Sequence, residues 1–291
     1  MRKRLGIIGG SGLYEIPSVD ILESHSLETP WGAPSAPVVE CKYKEEHFFF
    51  LPRHGIGHSI PPSKINYRAN IDAFKKLGVT DVLSLSSVGS LNEDLSRGVF
   101  VIINQYVDLT KNRISTFFED DIVVHVSMAT PTDEELMEIS KASLEKLHIK
   151  YNYGGSYICI EGPQFSTKEE SRLFQNWGCD VIGMPSLPEA KLCREASLRY
   201  VNIGMVTDFD CWHPDHENVE VSNVISTLKG NAEDAKKFIL EFVLNYSKST
   251  IKNNLNSYDS LVTPKNKIKK DTAYKLKNIM PDLLKDFTQN K

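Results

Sequence analysis

The sequence of 291 residues lacks closely spaced cysteines, a surplus of basic residues and long apolar runs. Its five cysteines never form a C-x-x-C pair, which argues against a disulfide framework and a zinc site and favours a reducing, cytoplasmic setting. The formal net charge of -4 argues against a nucleic-acid partner. No apolar stretch approaches the roughly 18 residues that a membrane span requires, so no membrane partner is expected.

What the sequence does contain is an alternation of strand-like and helix-like segments. Short runs rich in β-branched and aromatic residues predict strands at 5–8, 37–41, 48–51, 82–85, 99–103, 157–160, 181–182 and 200–206. Helical periodicity predicts helices at 63–77, 133–147, 168–177, 189–198 and 221–246. Alternation of this kind is typical of an α/β protein.

The C-terminal part of the chain differs in composition. Residues 247–270 are rich in Lys, Asn, Ser and Asp, which predicts a polar linker. Residues 271–291 regain the spacing of apolar residues expected of a helix. We expect this C-terminal helix to pack on its own domain or on a neighbouring subunit.

Three segments at the ends of predicted strands suit an anion. A glycine-rich turn at residues 9–12 lets the backbone approach a phosphate closely, although Glu15 stands where a dinucleotide fingerprint needs its last glycine. Arg53 and His54 follow an aromatic strand, and a guanidinium supplies paired donors to phosphate oxygens. A serine and glycine turn lies at residues 86–90. Because open α/β sheets build their sites at strand ends, the three segments together predict a phosphate site.

Two further segments carry groups suited to a flat, polar ligand. Phe165 lies in a turn rich in proline and glycine, where its ring either joins the core or stacks on a ligand. Asp208 and Asp210 follow a strongly apolar strand and precede Trp212. Exposed carboxylate pairs often bind nothing, whereas a partly desolvated carboxyl has a raised pKa that suits proton donation.

Seven motifs occur along the chain: Gly9-Gly10-Ser11-Gly12-Leu13; Thr29-Pro30-Trp31-Gly32; Arg53-His54-Gly55 with His58; Asn66-Tyr67-Arg68-Ala69-Asn70; Ile160-Glu161-Gly162-Pro163-Gln164-Phe165-Ser166; Met184 before Pro188-Glu189; and Thr207-Asp208-Phe209-Asp210-Cys211-Trp212. With these motifs, the sequence from about residue 5 to residue 228 resembles the 5′-methylthioadenosine phosphorylases, a branch of the purine nucleoside phosphorylase family. The residues after Tyr246 are not covered by the resemblance.

The resemblance implies a homotrimeric enzyme. Each subunit would have one catalytic domain, residues 1–246, with a twisted mixed central β-sheet flanked by helices. Inorganic phosphate, the cosubstrate, would cleave the N-ribosidic bond of methylthioadenosine to give adenine and 5-methylthioribose 1-phosphate. Neither a metal nor an organic cofactor is implied.

The same resemblance implies roles for individual residues, with Asp208 and Asp210 as the catalytic pair that meets the purine N7 and 6-amino edge. Phosphate would be held by Ser11, Arg53, His54 and Ser86. Ser87 would contact the substrate, Met184 would lie against the ribose, and Phe165 and Ser166 would border the base. The 5′-substituent pocket would be lined by His58, Val221, Val224 and Ile225, with His125 contributed by a neighbouring subunit.

Pro185 departs from the family pattern, in which a threonine usually follows the methionine. Proline has neither a hydroxyl nor a backbone N–H, so one phosphate donor is expected to be missing unless Ser186 replaces it.

Other activities stay open at this point. A 6-oxopurine nucleoside phosphorylase, acting on inosine or methylthioinosine, is disfavoured because a carboxylate facing a 6-oxo group sets two acceptors together. A phosphate-independent nucleosidase and a catalytically silent nucleoside-binding protein are the remaining alternatives.

Overall fold

The computed structural model describes residues 3–10, 16–213 and 221–288, without the side chains of residues 221–229, 286 and 288. The strands are β1 Leu5–Gly9, β2 Asp20–His25, β3 Val38–Tyr43, β4 Glu46–Pro52, β5 Asp81–Ser90, β6 Phe100–Ile103, β7 Gln105–Asp108, β8 Tyr151–Tyr153, β9 Ser156–Cys159, β10 Val181–Gly183 and β11 Arg199–Asp208. The α-helices are α1 Tyr67–Lys76, α2 Glu134–Lys146, α3 Lys168–Asn176, α4 Ser186–Glu195, α5 Val221–Lys248, α6 Lys270–Lys275 and α7 Pro281–Thr288.

The strands form one mixed sheet of 11 strands in the order β2-β3-β4-β1-β5-β10-β9-β7. Strand β11 pairs with β5 along most of its length and continues the sheet through β6 to β8. Strands β4, β1, β5 and β11 run parallel, whereas β10 is antiparallel to β5 at Gly89 and Ser90. The carboxyl ends of the four parallel strands therefore meet at one edge of the sheet. The expected α/β fold with a mixed central sheet flanked by helices is confirmed.

The central strands are buried on both faces because helices cover both sides of the sheet. Leu83 of β5 and Ile203 of β11 pack with α2 and α5, whereas Val82 and Val206 pack on the other face with α1 and α4. Successive residues of a strand point to opposite faces, so a continuous apolar run such as β11 fits this double covering. Within the described residues, no helix is long and apolar enough to cross a membrane.

Helix boundaries follow the signals in the sequence. Helix α3 begins after Thr167, whose side chain accepts a hydrogen bond from the Glu170 backbone while the Glu170 side chain accepts one from Thr167. Helix α1 begins later than the periodicity predicts because Asn66 caps it, after a separate 3₁₀ turn at Pro62–Lys64. It ends before Gly78, which has a φ of +77°.

Residues 247–270, predicted as a polar linker, are hydrogen-bonded to the rest of the chain. The Asn253 side chain donates to the carbonyl oxygens of Thr80 and Ser197, at 3.2 and 2.7 Å. The Val262 backbone N–H donates to the Val123 carbonyl at 2.9 Å. Polar composition here reflects contacts to backbone groups of the domain as well as exposure to water.

The C-terminal segment forms two helices, α6 and α7, where the sequence predicts one. Helix α6 ends at Lys275, and α7 begins with Pro281, whose missing N–H is tolerated at the first position of a helix. Leu276, Ile279 and Leu283 are buried in the same core as α1 and α4. The segment thus packs on its own domain.

Candidate active site

A cavity of about 740 Å³ lies at the edge where the parallel strands end. The cavity is lined by Gly10, Arg53, His54, His58, Ser59, Pro61, Pro62, Ser86, Ser87, Val88, Gly89, Ile160, Pro163, Phe165, Ser166, Ile182, Gly183, Met184, Pro185, Thr207, Asp208 and Asp210. Ten of the residues predicted from the sequence are in this lining, and they come from distant parts of the chain: Arg53, His54, His58, Ser86, Ser87, Phe165, Ser166, Met184, Asp208 and Asp210.

Arg53 is fully buried behind one end of the cavity. Its Nε and Nη2 donate to the two carboxylate oxygens of Glu189, at 2.8 and 3.2 Å. Nη2 also donates to Ser84 Oγ, and Nη1 donates to the Leu85 carbonyl. Burial alone would lower the pKa of Arg53, but the charge and hydrogen bonds of Glu189 outweigh it and raise that pKa. The guanidinium fork, expected from the sequence to grip phosphate, is directed at Glu189. A Cβ added to Gly10 of the cavity wall would lie 3.7 Å from Nη1.

His54 lies beside Arg53 and is held in one orientation. Its Nδ1 donates to the Ile60 carbonyl oxygen at 2.9 Å, which leaves Nε2 as an acceptor on the neutral ring. Burial, followed by the positive charge of Arg53, lowers the pKa of His54 to about 3. The His54 ring stacks on the His58 ring, with centroids 4.2 Å apart. His54 is therefore neutral at physiological pH.

The carboxylate pair occupies a different wall of the cavity. Asp208 Oδ1 accepts from the Asp210 backbone N–H at 2.8 Å, and Oδ2 accepts from the Thr207 hydroxyl at 2.7 Å. A Cβ placed on Gly89 would lie only 2.9 Å from Asp208 Oδ1, so the close approach of β5 to this carboxylate requires glycine. Burial raises the pKa of both carboxyls, that of Asp210 to about 6.

Phe165 and Met184 also line the cavity. Phe165 is 46% exposed, which places its ring at the surface of the cavity and outside the core. Ser166 follows it, and the Ser166 carbonyl accepts a hydrogen bond from Cys211 Sγ at 3.2 Å. Of the two interpretations left open by the sequence, the structure excludes a buried core position for Phe165.

Several predicted site residues are not part of this lining. His125 is exposed in the loop between β7 and α2, where its backbone N–H donates to the Ser260 carbonyl. Ser11 lies outside the described residues. Val221, Val224 and Ile225 belong to the first turns of α5, but their side chains are outside the description.

Pro185 lines the cavity and is the N-cap residue of α4, where no side chain caps the helix. Ser186, the candidate replacement donor, is completely buried and is not among the lining residues. The serine hydroxyl therefore does not reach the cavity directly.

Glu189 is a site residue for which the sequence analysis gave no role. It accepts hydrogen bonds from Arg53, Ser84 and Tyr200, three residues on three different strands or strand ends. Little in the sequence pointed to it, because α4 also carries Lys191, Arg194 and Glu195 and nothing in the run marks which charge is buried.

The cavity brings hydroxyls and a buried arginine to one end, and two carboxyls with raised pKa values to another, which defines a site for a small ligand with an anionic part and a polar ring. The chain matches the family model of the Phosphorylase superfamily over residues 4–244 and belongs to this family. The resemblance found in the sequence is thereby confirmed.

Among characterised relatives, the S-methyl-5′-thioadenosine phosphorylase of Koribacter versatilis is 45% identical over 281 residues, covering 96% of each chain. The S-methyl-5′-thioadenosine phosphorylase of Rhodospirillum rubrum is 49% identical over 235 residues, covering 81% of this chain and 80% of the relative.

Two solved structures are also similar. A methylthioadenosine phosphorylase from an antarctic soil metagenomic library has a TM-score of 0.91 and 41% identity, covering 96% of this chain and 99% of its own. The methylthioadenosine phosphorylase of Schistosoma mansoni in complex with adenine has a TM-score of 0.82 and 36% identity, covering 85% of this chain and 93% of its own.

The raised pKa of Asp210 predicts a pH-dependent cost to stability. The Asp210 carboxyl has a pKa of about 6 in the folded protein and an ordinary pKa of 3.8, which we take for the unfolded chain. Its contribution to the stability of the fold is fully present below pH 3.8 and is lost as the pH rises to 6 and above. We expect the Asp210→Asn variant to be more stable than the wild type, with an advantage that grows by on the order of 1–2 kcal/mol between pH 5 and pH 8.

Urea unfolding at a series of pH values measures this difference. Asp234→Asn, at an exposed carboxylate that pairs with Lys237 on α5, is the matched control and should show a constant difference from the wild type. An Asp210→Asn profile parallel to that of the wild type would contradict the assignment of a raised pKa.

Proposed function

We propose that the protein catalyses the phosphorolysis of 5′-methylthioadenosine to adenine and 5-methylthioribose 1-phosphate. The observation that carries the proposal is the cavity itself, which has a donor-rich end at Ser86 and Ser87, backed by the Arg53 guanidinium that Glu189 holds, and a carboxyl pair at Asp208 and Asp210. The similarity to S-methyl-5′-thioadenosine phosphorylases over nearly the whole chain supports the same activity.

In the proposed reaction, phosphate binds at the donor-rich end. Phosphate is both the nucleophile at C1′ and the counter-charge for the ribosyl cation that develops as the bond to the base breaks. Gly10, Ser86 and Ser87 offer backbone and hydroxyl groups there, and Nη1 of Arg53 adds a positive field from behind the wall. The neutral His54 presents Nε2 as an acceptor, which suits the protonated oxygen of a hydrogen phosphate.

The leaving purine takes up negative charge, and in our proposal the Asp208 and Asp210 pair supplies the proton that relieves it at N7. An acid is suited to this step when its pKa lies near the working pH, and burial moves the pKa of Asp210 to about 6. Phe165, exposed at the cavity surface, is assigned to stacking on the base.

The carboxyl pair also accounts for the proposed preference for a 6-amino base. An amino group donates to a carboxylate, whereas a 6-oxo group would place two acceptors against each other. A lost hydrogen-bond match in a buried site costs roughly 1–3 kcal/mol. Adenine nucleosides should therefore be cleaved at least about tenfold more efficiently than inosine.

Measurement of base release from methylthioadenosine, adenosine, inosine and methylthioinosine tests this function. We expect release from the two adenine nucleosides to require phosphate or arsenate, because the ribosyl cation needs a nucleophile held at the anion end. Equal release in buffer without either anion would make the protein a nucleosidase. If inosine is cleaved as efficiently as adenosine, the role given to the carboxyl pair is wrong. If nucleosides bind but no base is released, the protein is not an enzyme of this kind.

Pro185 supplies a second test, directed at phosphate. A charge-assisted hydrogen bond contributes roughly 1.5–3 kcal/mol, so a hydroxyl added at this wall position should tighten the apparent phosphate constant by about tenfold. We expect Pro185→Thr to show this gain in phosphate titrations while the nucleoside KM stays within about twofold. Pro185→Val is the matched control, because it removes the ring and restores the backbone N–H without adding the hydroxyl. Equal phosphate constants for the two variants would show that the hydroxyl contributes nothing.

The proposal includes a homotrimer, in which His125 approaches a neighbouring subunit's 5′ pocket, and a cytoplasmic location. The exposed position of His125, away from the cavity of its own chain, supports the first part. The five cysteines are free thiols, which supports the second. Sedimentation velocity should give the mass of three chains, and a monomer with full activity would contradict the trimer. No metal or organic cofactor has a role in the proposed reaction.

A further inference from the structure

Arg113 lies in the loop between β7 and α2, yet its side chain is only 1% exposed. Its guanidinium donates to backbone carbonyls of two separate segments. Nη2 donates to the carbonyl oxygens of Ile160 and Glu161, at 3.3 and 2.8 Å. Nη1 donates to the carbonyl oxygen of Leu187 at 2.6 Å and to that of Met184. One buried cation thereby connects the two segments.

The Glu161 carboxylate fixes Arg113 in turn. Oε1 accepts from Arg113 Nε at 3.1 Å, while Oε2 accepts from the backbone N–H groups of Lys111 and Asn112, at 2.6 and 3.0 Å. These bonds, followed by the charge of Arg113, overcome the effect of burial and lower the pKa of Glu161. The loop that carries Arg113 is thus attached to the segment that Arg113 holds.

Both segments continue directly into the cavity wall. The first runs through Pro163 to Phe165 and Ser166, and the second contains Met184. They touch at Gly162, where an added Cβ would lie 2.4 Å from Met184 Sδ, so the approach is as close as glycine allows. The separation between the aromatic ring and the methionine depends on the backbone that Arg113 holds from behind.

We propose that Arg113 is a positioning residue for the nucleoside half of the cavity. It does not line the cavity, and it acts by holding the carbonyls of Glu161 and Met184 so that Phe165 and Met184 stay at a fixed separation across the base and ribose. The inference rests on the proposed nucleoside phosphorylase function. The phosphate end has its own support in the Arg53–Glu189 pair. Because Arg113 also holds the carbonyls on either side of Pro185, we expect a smaller effect on phosphate than on the nucleoside.

The geometry calls for arginine in particular. A guanidinium presents donors in a rigid plane and serves carbonyls on both sides at once, whereas an ammonium has three donors around one point. A lysine at this position keeps the positive charge but leaves some of the buried carbonyls unpaired. The two segments then keep the pairing of β9 with β10, in which the Ile160 N–H donates to the Gly183 carbonyl at 2.9 Å, but lose part of the attachment beyond it.

Steady-state kinetics of Arg113→Lys test the proposal. We expect the KM for methylthioadenosine to rise at least tenfold, while the KM for phosphate rises by no more than about threefold. Adenine binding, measured by calorimetry without phosphate, should weaken by a similar factor. The split between the two KM values distinguishes positioning of the nucleoside wall from a general loss of folded protein.

Glu161→Gln and Arg172→Lys complete the design. Glu161→Gln keeps an acceptor for Arg113 Nε but removes the charge, and it should raise the nucleoside KM about threefold. Arg172 on α3 pairs with Glu169 and is 60% exposed, so Arg172→Lys is the matched control and should leave both constants unchanged.

An unchanged nucleoside KM in folded Arg113→Lys would overturn the inference, as would equal rises in both KM values with a lowered melting temperature. If Arg113→Lys does not fold, the nucleoside KM of Glu161→Gln is the test. An unchanged nucleoside KM in Glu161→Gln would then overturn the inference. Base release by the wild type without phosphate would instead contradict the proposed phosphorolysis and leave the role of Arg113 untouched. Adenine binding by the wild type and Glu161→Gln would still test the role of Arg113.

Discussion

The ion pair between Arg53 and Glu189 is the constraint on which the arrangement of the cavity depends. Both side chains are almost completely excluded from water, and charges are tolerated there only when they are paired and hydrogen-bonded. The pair joins the end of β4 to α4, and Tyr200 of β11 completes it. Loss of one partner alone would leave a buried charge at a cost of roughly 3–5 kcal/mol. The same ion pair therefore holds α4 on the sheet and fixes the position of the positive charge behind the anion end of the cavity.

Most of the sheet was predictable because its central strands are apolar on both faces. Strand β11 is buried except at Asp208, and from Tyr200 to Val206 its sequence is apolar apart from Asn202. Strand β2 was missed for the opposite reason, since none of its residues is buried and backbone pairing with β3 alone defines it. Strands β7 and β8 were missed because they are partly polar and none of their residues is buried, whereas the equally short but apolar β6 was predicted.

The site was predictable to the extent that its residues stand at strand ends in recognisable motifs. Arg53, Ser86 and Asp208 are far apart in the sequence, and parallel pairing alone brings them to one edge. The partners of these residues were less accessible to sequence reasoning. Glu189 and Arg113 act through contacts with backbone or with a buried charge, and the spacing of residues along a chain carries no record of such contacts.

Strand β5 has a further consequence, because it contributes to both ends of the cavity. Ser86 stands at the anion end, and Gly89 lies against Asp208, three residues along the same strand. Each step of an extended chain advances about 3.3 Å, so the two ends are separated by about 10 Å. A hydrogen-bonded strand cannot stretch, and β5 is paired with β11 from Ser86 to Gly89. In the proposed function, this strand therefore sets the distance between the bound phosphate and the carboxyl pair that meets the base.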